Sequence, residues 1–392
     1  MSEWKEHKLG DLIDVKHGFA FKGECITTEP TSNILVTPGN FNIGGGFKVT
    51  KFKYYYGQYP ESYILKEGDV VVTMTDLSQE GDTLGYSAKI PKQDGFKFLH
   101  NQRIGLVNII SDEADKEFIY WTMRTYEYQG FIVGAATGTS IRHTSPITIK
   151  EYTFQLPPLP EQKSIASILS SLDDKIDLLH RQNKTLEALA GTLFRQWFVE
   201  EAEESWEEKS LVEIAEYLNG LALQKFTAKG IDDLPVIKIR EMKQGISENT
   251  DKCSRDIPSQ YIIHDGDILF SWSGSLEVVI WHDGEGALNQ HLFKVSSDKY
   301  PKWFYYLATK YHLANFKMIA ETKSTTMGHI QREHLREAII LIPPKELFAE
   351  YDKKIAPLIE KKIKNNNQIR TLTQLRDTLL PKLMSGDVRV GN

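Results

Sequence analysis

Two histidines in HIQREHL, His329 and His334, come closest to a metal-binding helix in this 392-residue chain. A zinc helix carries its histidines four apart on one face, with a glutamate as general base. Here the spacing is five (334 − 329), which takes the pair off a single face. LPPLP and LIPPK bring paired prolines among apolar residues, but the asparagine of the Asn-Pro-Pro-aromatic motif of amino-methylating enzymes is missing. The run Gly44–Gly46 reads as a flexible loop, because no GxGxxG pattern follows a strand. There is no GxxxxGK[ST] phosphate loop and no GxSxG elbow. The expectation is a chain without a catalytic centre, metal or cofactor of its own. PPLP also fits a ligand of a WW-type domain, although its recurrence before two long helices argues for a structural clamp.

Composition limits the remaining classes. Apolar residues make up 41% of the chain and aromatics 11%, enough for two or three cores. No apolar run is long enough to span a bilayer, and MSEWKEHKLG lacks the apolar stretch of a signal peptide. Two distant cysteines, Cys25 and Cys253, offer no disulfide framework, so a reducing cytoplasm is expected. The net charge of −6 is matched by six glutamates between Glu200 and Glu208, which leaves the rest near balance. Basic faces are therefore possible, but the charge itself does not point to nucleic acid.

The elements that would carry any site come in two copies. Trp4 pairs with Trp206 (offset 206 − 4 = 202), Gly68 of KEGDVVVTM with Gly266 of HDGDILFSW (198), and Asn101 of HNQR with Asn289 of LNQH (188). His143 with His329, Pro157 with Pro343 and Leu193 with Leu379 all stand at offset 186. The offset shrinks through the front of the unit and then locks, as when loops shorten but helix register is kept. Within each copy, YILKEGDVVVTM predicts two short strands about a turn at Glu67–Asp69. RIGLVNII predicts another strand, DKEFIYWTMRTYEYQG a helix, and YTFQL a last strand. The fold class expected is α+β: two mixed α/β domains in tandem, each followed by a long helix. The boundaries read as 1–156, 157–199, 200–342 and 343–392.

The first long helix carries a heptad seam: Ile165, Leu169, Leu172, Ile176, Leu179, Asn183, Leu186, Ala190, Leu193 and Trp197. The second repeats it with a more polar centre: Tyr351, Ile355, Leu358, Lys362, Asn365, Ile369, Leu372, Arg376, Leu379 and Leu383. Asn183 and Asn365 read either as register-fixing core polars or as one solvated helix turn. Pro160 and Glu161 start the first helix, Gly386 stops the second, and Pro381 predicts a kink or loose last turn. The cheapest partner for each helix is the other, antiparallel, with a domain at each end. Ile168, Leu178, Leu189, Phe194 and Phe198 lie off the seam and predict either burial against the chain's own domains or docking of a partner's helices.

QLPPLPEQKSIASILSSLDDKID, LRDTLLPKLMSGDVRV, GDVVVTM, GDILFSW and LNQHLFKV resemble the conserved regions of specificity subunits of type I restriction-modification systems. That resemblance implies two target-recognition domains reading the halves of an asymmetric bipartite site in double-stranded DNA, with an antiparallel coiled coil setting the unread spacer. It further implies two modification subunits that methylate adenine with S-adenosylmethionine. Two restriction subunits that cleave with ATP and Mg2+ complete the implied complex, and no membrane is involved. The second helix departs from the family: IPPKELFAEYDKKIAP lacks the glutamate-glutamine pair after the prolines and carries Pro357, which puts its first turns in question. A coiled-coil scaffold without DNA and a stand-alone DNA-binding regulator are the competing readings.

Base readout uses Arg, Lys, Asn and Gln, and backbone contacts use basic or small polar groups. If the resemblance holds, the readers should occupy matching loops. Those loops offer Asn40 and Lys48 against Lys238, Arg240 and Lys243; Thr75 and Gln79 against Ser271 and Ser273; Asn101, Gln102 and Arg103 against Asn289, Gln290 and His291; and Ser140, Arg142 and His143 against Lys323, Thr325 and His329. The repeated Asn-Gln pair has a second reading, as a device that caps a strand.

Overall fold

The computed structural model describes residues 4–78, 80–138, 141–322 and 328–390. It divides into two compact units, Met1–Asp174 with Gln374–Asn392, and Lys175–Thr373. Each unit takes in one globular domain and a stretch of both long helices.

In the first unit a four-stranded antiparallel sheet runs in the order Ile13–His17, Ile104–Ile109, Val70–Thr73, Ser87–Lys89. A five-stranded sheet contains the parallel pair Asn33–Val36 and Lys97–His100. Val70–Thr73 is buried along its whole length, as a strand of VVVT covered on both faces must be. The second unit repeats this plan. Its antiparallel sheet orders Glu216–Asn219, Leu292–Ser296, Ile268–Ser271 and Val278–Ile280, and the parallel pair Leu234–Ile237 with Gly286–Leu288 recurs. Gly68 and Gly266, the paired glycines of the GD turns, both stand at positive φ, +77° and +87°, where a side chain would be strained.

Each domain is closed by a two-stranded ribbon that pairs its first strand with its last, Lys5–Lys8 with Thr153–Leu156 and Glu207–Ser210 with Ile339–Ile342. The prolines follow directly, so each clamp launches its helix from a pinned strand. The first long helix spans Leu159–Arg195 and ends in a π turn over Gln196–Glu200. The second spans Lys345–Ser385 and stops at Gly386, φ +79°. It runs as one helix through Pro357 and Pro381, so its first turns form despite the missing glutamate-glutamine pair, and its last turn is helical.

The departure in the second clamp has a packing reason. Gln162 is fully buried. Its Oε1 accepts from the Asp115 N–H at 2.8 Å, and its Nε2 donates to the Glu113 and Pro157 carbonyls, each at 2.8 Å. The residue 186 positions later is Phe348, whose ring lies 5.1 Å from that of Phe304 and 5.6 Å from that of Trp303. At this position one domain is tied to its helix by hydrogen bonds and the other by an aromatic cluster.

In both units the two long helices lie antiparallel. Asn365 Nδ2 donates to Asn183 Oδ1 at 3.0 Å, and Asn183 Nδ2 donates to Asn366 Oδ1 at 2.6 Å, so these asparagines are buried core polars. Arg376 meets Asp173 at 2.5 Å in the first unit, and Lys362 meets Glu187 at 2.6 Å in the second. Both pairs share one register, since 173 + 376 and 187 + 362 each give 549. The domains join the same acids. Arg124 reaches Asp173 at 2.6 Å, while Lys310 and Tyr306 bind Glu187. Burial raises both acids' pKa values, but the cations outweigh it. Arg124 and Arg376 hold Asp173 below the usual carboxylate range, and Lys362 and Lys310 bring Glu187 down to about 2.

Two further sequence expectations change. DKEFIYWTMRTYEYQG forms two helices, Lys116–Thr122 and Tyr126–Gly134, because Thr125 caps the second with its hydroxyl and turns the chain. Its counterpart is one helix, Lys302–Thr322. The three glycines are pinned rather than loose. Gly44 O accepts from Arg124 Nε at 2.9 Å, Gly46 N donates to Ser87 O at 2.8 Å, and a side chain on Gly45 would run into Arg124.

Candidate nucleic-acid interface

The same cradle occurs once in each domain. In the first, the Gln102 N–H donates to Phe19 O, the Ile104 N–H to Asn101 O and the Met74 N–H to Arg103 O, each at 2.9 Å. In the second, the Gln290 N–H donates to Leu221 O at 2.9 Å, Leu292 N to Asn289 O at 3.0 Å and Trp272 N to His291 O at 3.4 Å. These are tight turns, Asn-Gln-Arg and Asn-Gln-His, wedged between two strand ends. The wedge needs glycine behind it: a Cβ on Gly18 would stand 2.1 Å from Asn101 O, and one on Gly220 2.2 Å from Asn289 O.

Asn101 and Asn289 form the turn. Their Oδ1 atoms accept from the N–H of Arg103 (2.9 Å) and of His291 (3.3 Å), the local side-chain bond that Asn favours in turns. Asn289 is buried and Asn101 half-buried, which fits the capping reading rather than base contact. Behind the first turn, His100 is buried with Nε2 2.8 Å from Ile104 O, and burial lowers its pKa to about 4, leaving it neutral at pH 7.

The exit of each GD strand adds a hydroxyl. Thr75 pairs with His143 in a short antiparallel ribbon, its Oγ1 3.2 Å from His143 Nδ1. Ser273 bridges to His329 in the same way, but its Oγ lies 3.0 Å from Nδ1 of His291. The Trp272 ring lies between His291 and His329, 5.8 and 6.4 Å from their centroids. Arg142 pairs with Asp76 across the first ribbon. Asp76 is buried; burial raises its pKa, but bonds from Thr83 and Ser78 leave it lowered. It organises the loop, a role that no motif in the sequence marks.

Other expected readers are spoken for inside the fold. Asn40 is buried, with Oδ1 accepting from Thr37 N at 2.9 Å and Nδ2 donating to Lys48 O at 3.4 Å; Lys48 itself is exposed. Ser271 is fully buried and bonds Ser275 O and Glu277 N. Lys238 pairs with Asp251, Arg240 with Glu241 and the Asn249 carbonyl, and Lys243 with Ser275 Oγ. Lys238 caps the helix Ile239–Gln244, which carries Arg240 and Lys243, and Lys243 joins it to the loop beside the second cradle. Gln79, Ser140, Lys323 and Thr325 lie outside the described residues.

Two of the proposed docking residues prove to be core. Phe194 and Phe198 are 2% and 1% exposed, stacked 4.9 Å apart against Phe304 and Trp303, so they offer no surface. Ile168 is half-buried against the first domain's core. Leu178 and Leu189 are exposed, at 39% and 46%. Among the described residues, no cluster of three or more His, Cys, Asp or Glu can hold a metal ion, and no helix is long and apolar enough to cross a membrane.

Comparison with known proteins agrees with this duplicated plan. The type I restriction modification DNA specificity domain matches twice, at residues 1–188 and 203–376. The type I restriction enzyme MjaIX specificity subunit of Methanocaldococcus jannaschii is 26% identical over 313 residues, covering 73% of this chain and 72% of its own. The HindI specificity subunit of Haemophilus influenzae is 22% identical over 483 residues, covering 99% of this chain and 100% of its own. The crystal structure of a type I restriction-modification S subunit from M. genitalium shares the fold at a TM-score of 0.58 and 19% identity, over 97% of this chain and 96% of that one. With matches that take in both domains and most of both helices, the chain belongs to the type I restriction-modification specificity family, as a specificity subunit with two tandem recognition domains.

Proposed function

We propose that each recognition domain reads one half of an asymmetric, bipartite site in double-stranded DNA, and that the coiled coil fixes the unread gap between the halves. One observation carries this reading: the cradle is built twice from equivalent backbone bonds, yet presents different side chains, Arg103 in one copy and His291 in the other. One scaffold with two rims suits two different half-sites. In this reading the chain does no chemistry. It works in the cytoplasm with two modification subunits, which use S-adenosylmethionine to methylate adenine, and two restriction subunits, which use ATP and Mg2+ to cleave. The exposed Leu178 and Leu189 of the first helix are the candidate dock for modification-subunit helices.

A gel-shift titration tests the role. Duplex DNA bound tightly only when modification subunits are added supports the reading. Tight sequence-specific binding by the chain alone favours a regulator, and no binding under either condition favours a scaffold.

A further inference from the structure

We propose that the third residue of the duplicated turn is the base-reading position of each recognition domain: Arg103 takes a guanine in one half-site, and His291 makes a single hydrogen bond in the other. This rests on the bipartite reading above. The argument starts from what is held constant. Backbone bonds, the asparagine side chain and the close glycine recur in both copies, so the tip is fixed in place before any ligand arrives. A reader must be positioned by such a rigid element. What varies is the exposed side chain at the tip, and variation on a constant frame is what two different half-sites require.

The state of Arg103 singles it out. Its side chain is exposed, and among the described residues its guanidinium makes no ion pair or hydrogen bond. Lys238, Arg240 and Lys243 are all engaged with the protein's own acids, carbonyls or hydroxyls. A free planar fork matches the O6 and N7 acceptors of guanine in the major groove, and no other base edge offers two acceptors so placed. His291 differs in kind. Ser273 occupies its Nδ1, Trp272 flanks its ring, and Gln290 Nε2 lies 3.4 Å from its Nε2 on the exposed rim, so a base can be met only at Nε2, in place of that contact.

The test uses the complex assembled with its modification subunits. Methylated adenines are mapped by sequencing, and binding is measured by competition among duplexes varied at each position of the motif. With Arg103→Ala, one guanine position in one half-site should become degenerate, losing about 5- to 150-fold discrimination, while the other half-site and the gap stay unchanged. Arg103→Gln replaces the cationic fork with a shorter, neutral amide that pairs with adenine N6 and N7, and should move that position from guanine toward adenine. Guanine retained in either variant overturns the proposal. So does an equal loss on every duplex with a shallower salt dependence, since that marks a phosphate contact. A wild-type complex with no bipartite motif would instead overturn the underlying reading, and the proposal with it.

Discussion

Glu187→Gln should destabilise the second unit, and by an amount that depends on pH. Glu187 lies on the first long helix between Lys362 of the second helix and Lys310 of the recognition domain, with Tyr306 also donating to it. Its ordinary pKa of 4.5 falls to about 2, although burial alone would raise it. A folded-state pKa below the unfolded value adds stability above the unfolded pKa, and that stability is lost as pH falls toward the folded one. That fall in pKa corresponds to about 3 kcal/mol at pH 7, shrinking to about 1 kcal/mol at pH 3. Burial holds Lys362 below its ordinary value even though Glu187 pulls it up. Part of the attraction is thus offset on the lysine's side, at a pH far above the acid window. Urea denaturation followed by circular dichroism at pH 7, 5 and 3 measures the gap between wild type and variant. Equal stability at pH 7, or a gap as wide at pH 3, would refute the ionic three-way junction.

Two other changes follow from the same architecture. Gln162→Leu removes the partners of one buried N–H and two buried carbonyls; at about 1–3 kcal/mol for an unsatisfied group, its denaturation midpoint should fall well below that of wild type. Inserting one heptad after Asp174 and another after Gln374, breaks that face each other in the register of 549 and lie between the stretches held by the two domains, lengthens both helices by roughly 10 Å. Methylation mapping should then show the gap shifted by about three base pairs at ~3.4 Å each, or binding lost; the original gap at full activity would show that the helices do not set it.

Much of the fold was legible because periodicity and repetition are properties of the chain itself. The seam, the clamps, the GD turns and the two copies could be read from spacing, and Asn183 and Asn365 sit where the heptad put them. What spacing cannot show is which polar groups are consumed by the fold. Asn101 and Asn289 read from sequence either as base readers or as a cap, and only the folded turn shows their side-chain oxygens in use. Phe194 and Phe198 lie off the seam, which fits a partner's dock as well as burial against the chain's own domain, and the second domain's aromatic core covers them. Asp173 and Glu187 went unnoticed because each acquires meaning only from cations far away in sequence. A signal was present: Tyr120 with Arg124 and Tyr306 with Lys310 repeat a four-residue spacing at offset 186. Pro357 misled in the other direction, since an exposed proline was absorbed by a helix packed along its other face.

The most direct test of the whole account is the methylation map of DNA modified by the wild-type complex. Two tandem readers with different rims predict one motif of two unlike half-sites, separated by a gap of fixed length and any sequence. A continuous motif, a palindrome, or half-sites found at several spacings would contradict it.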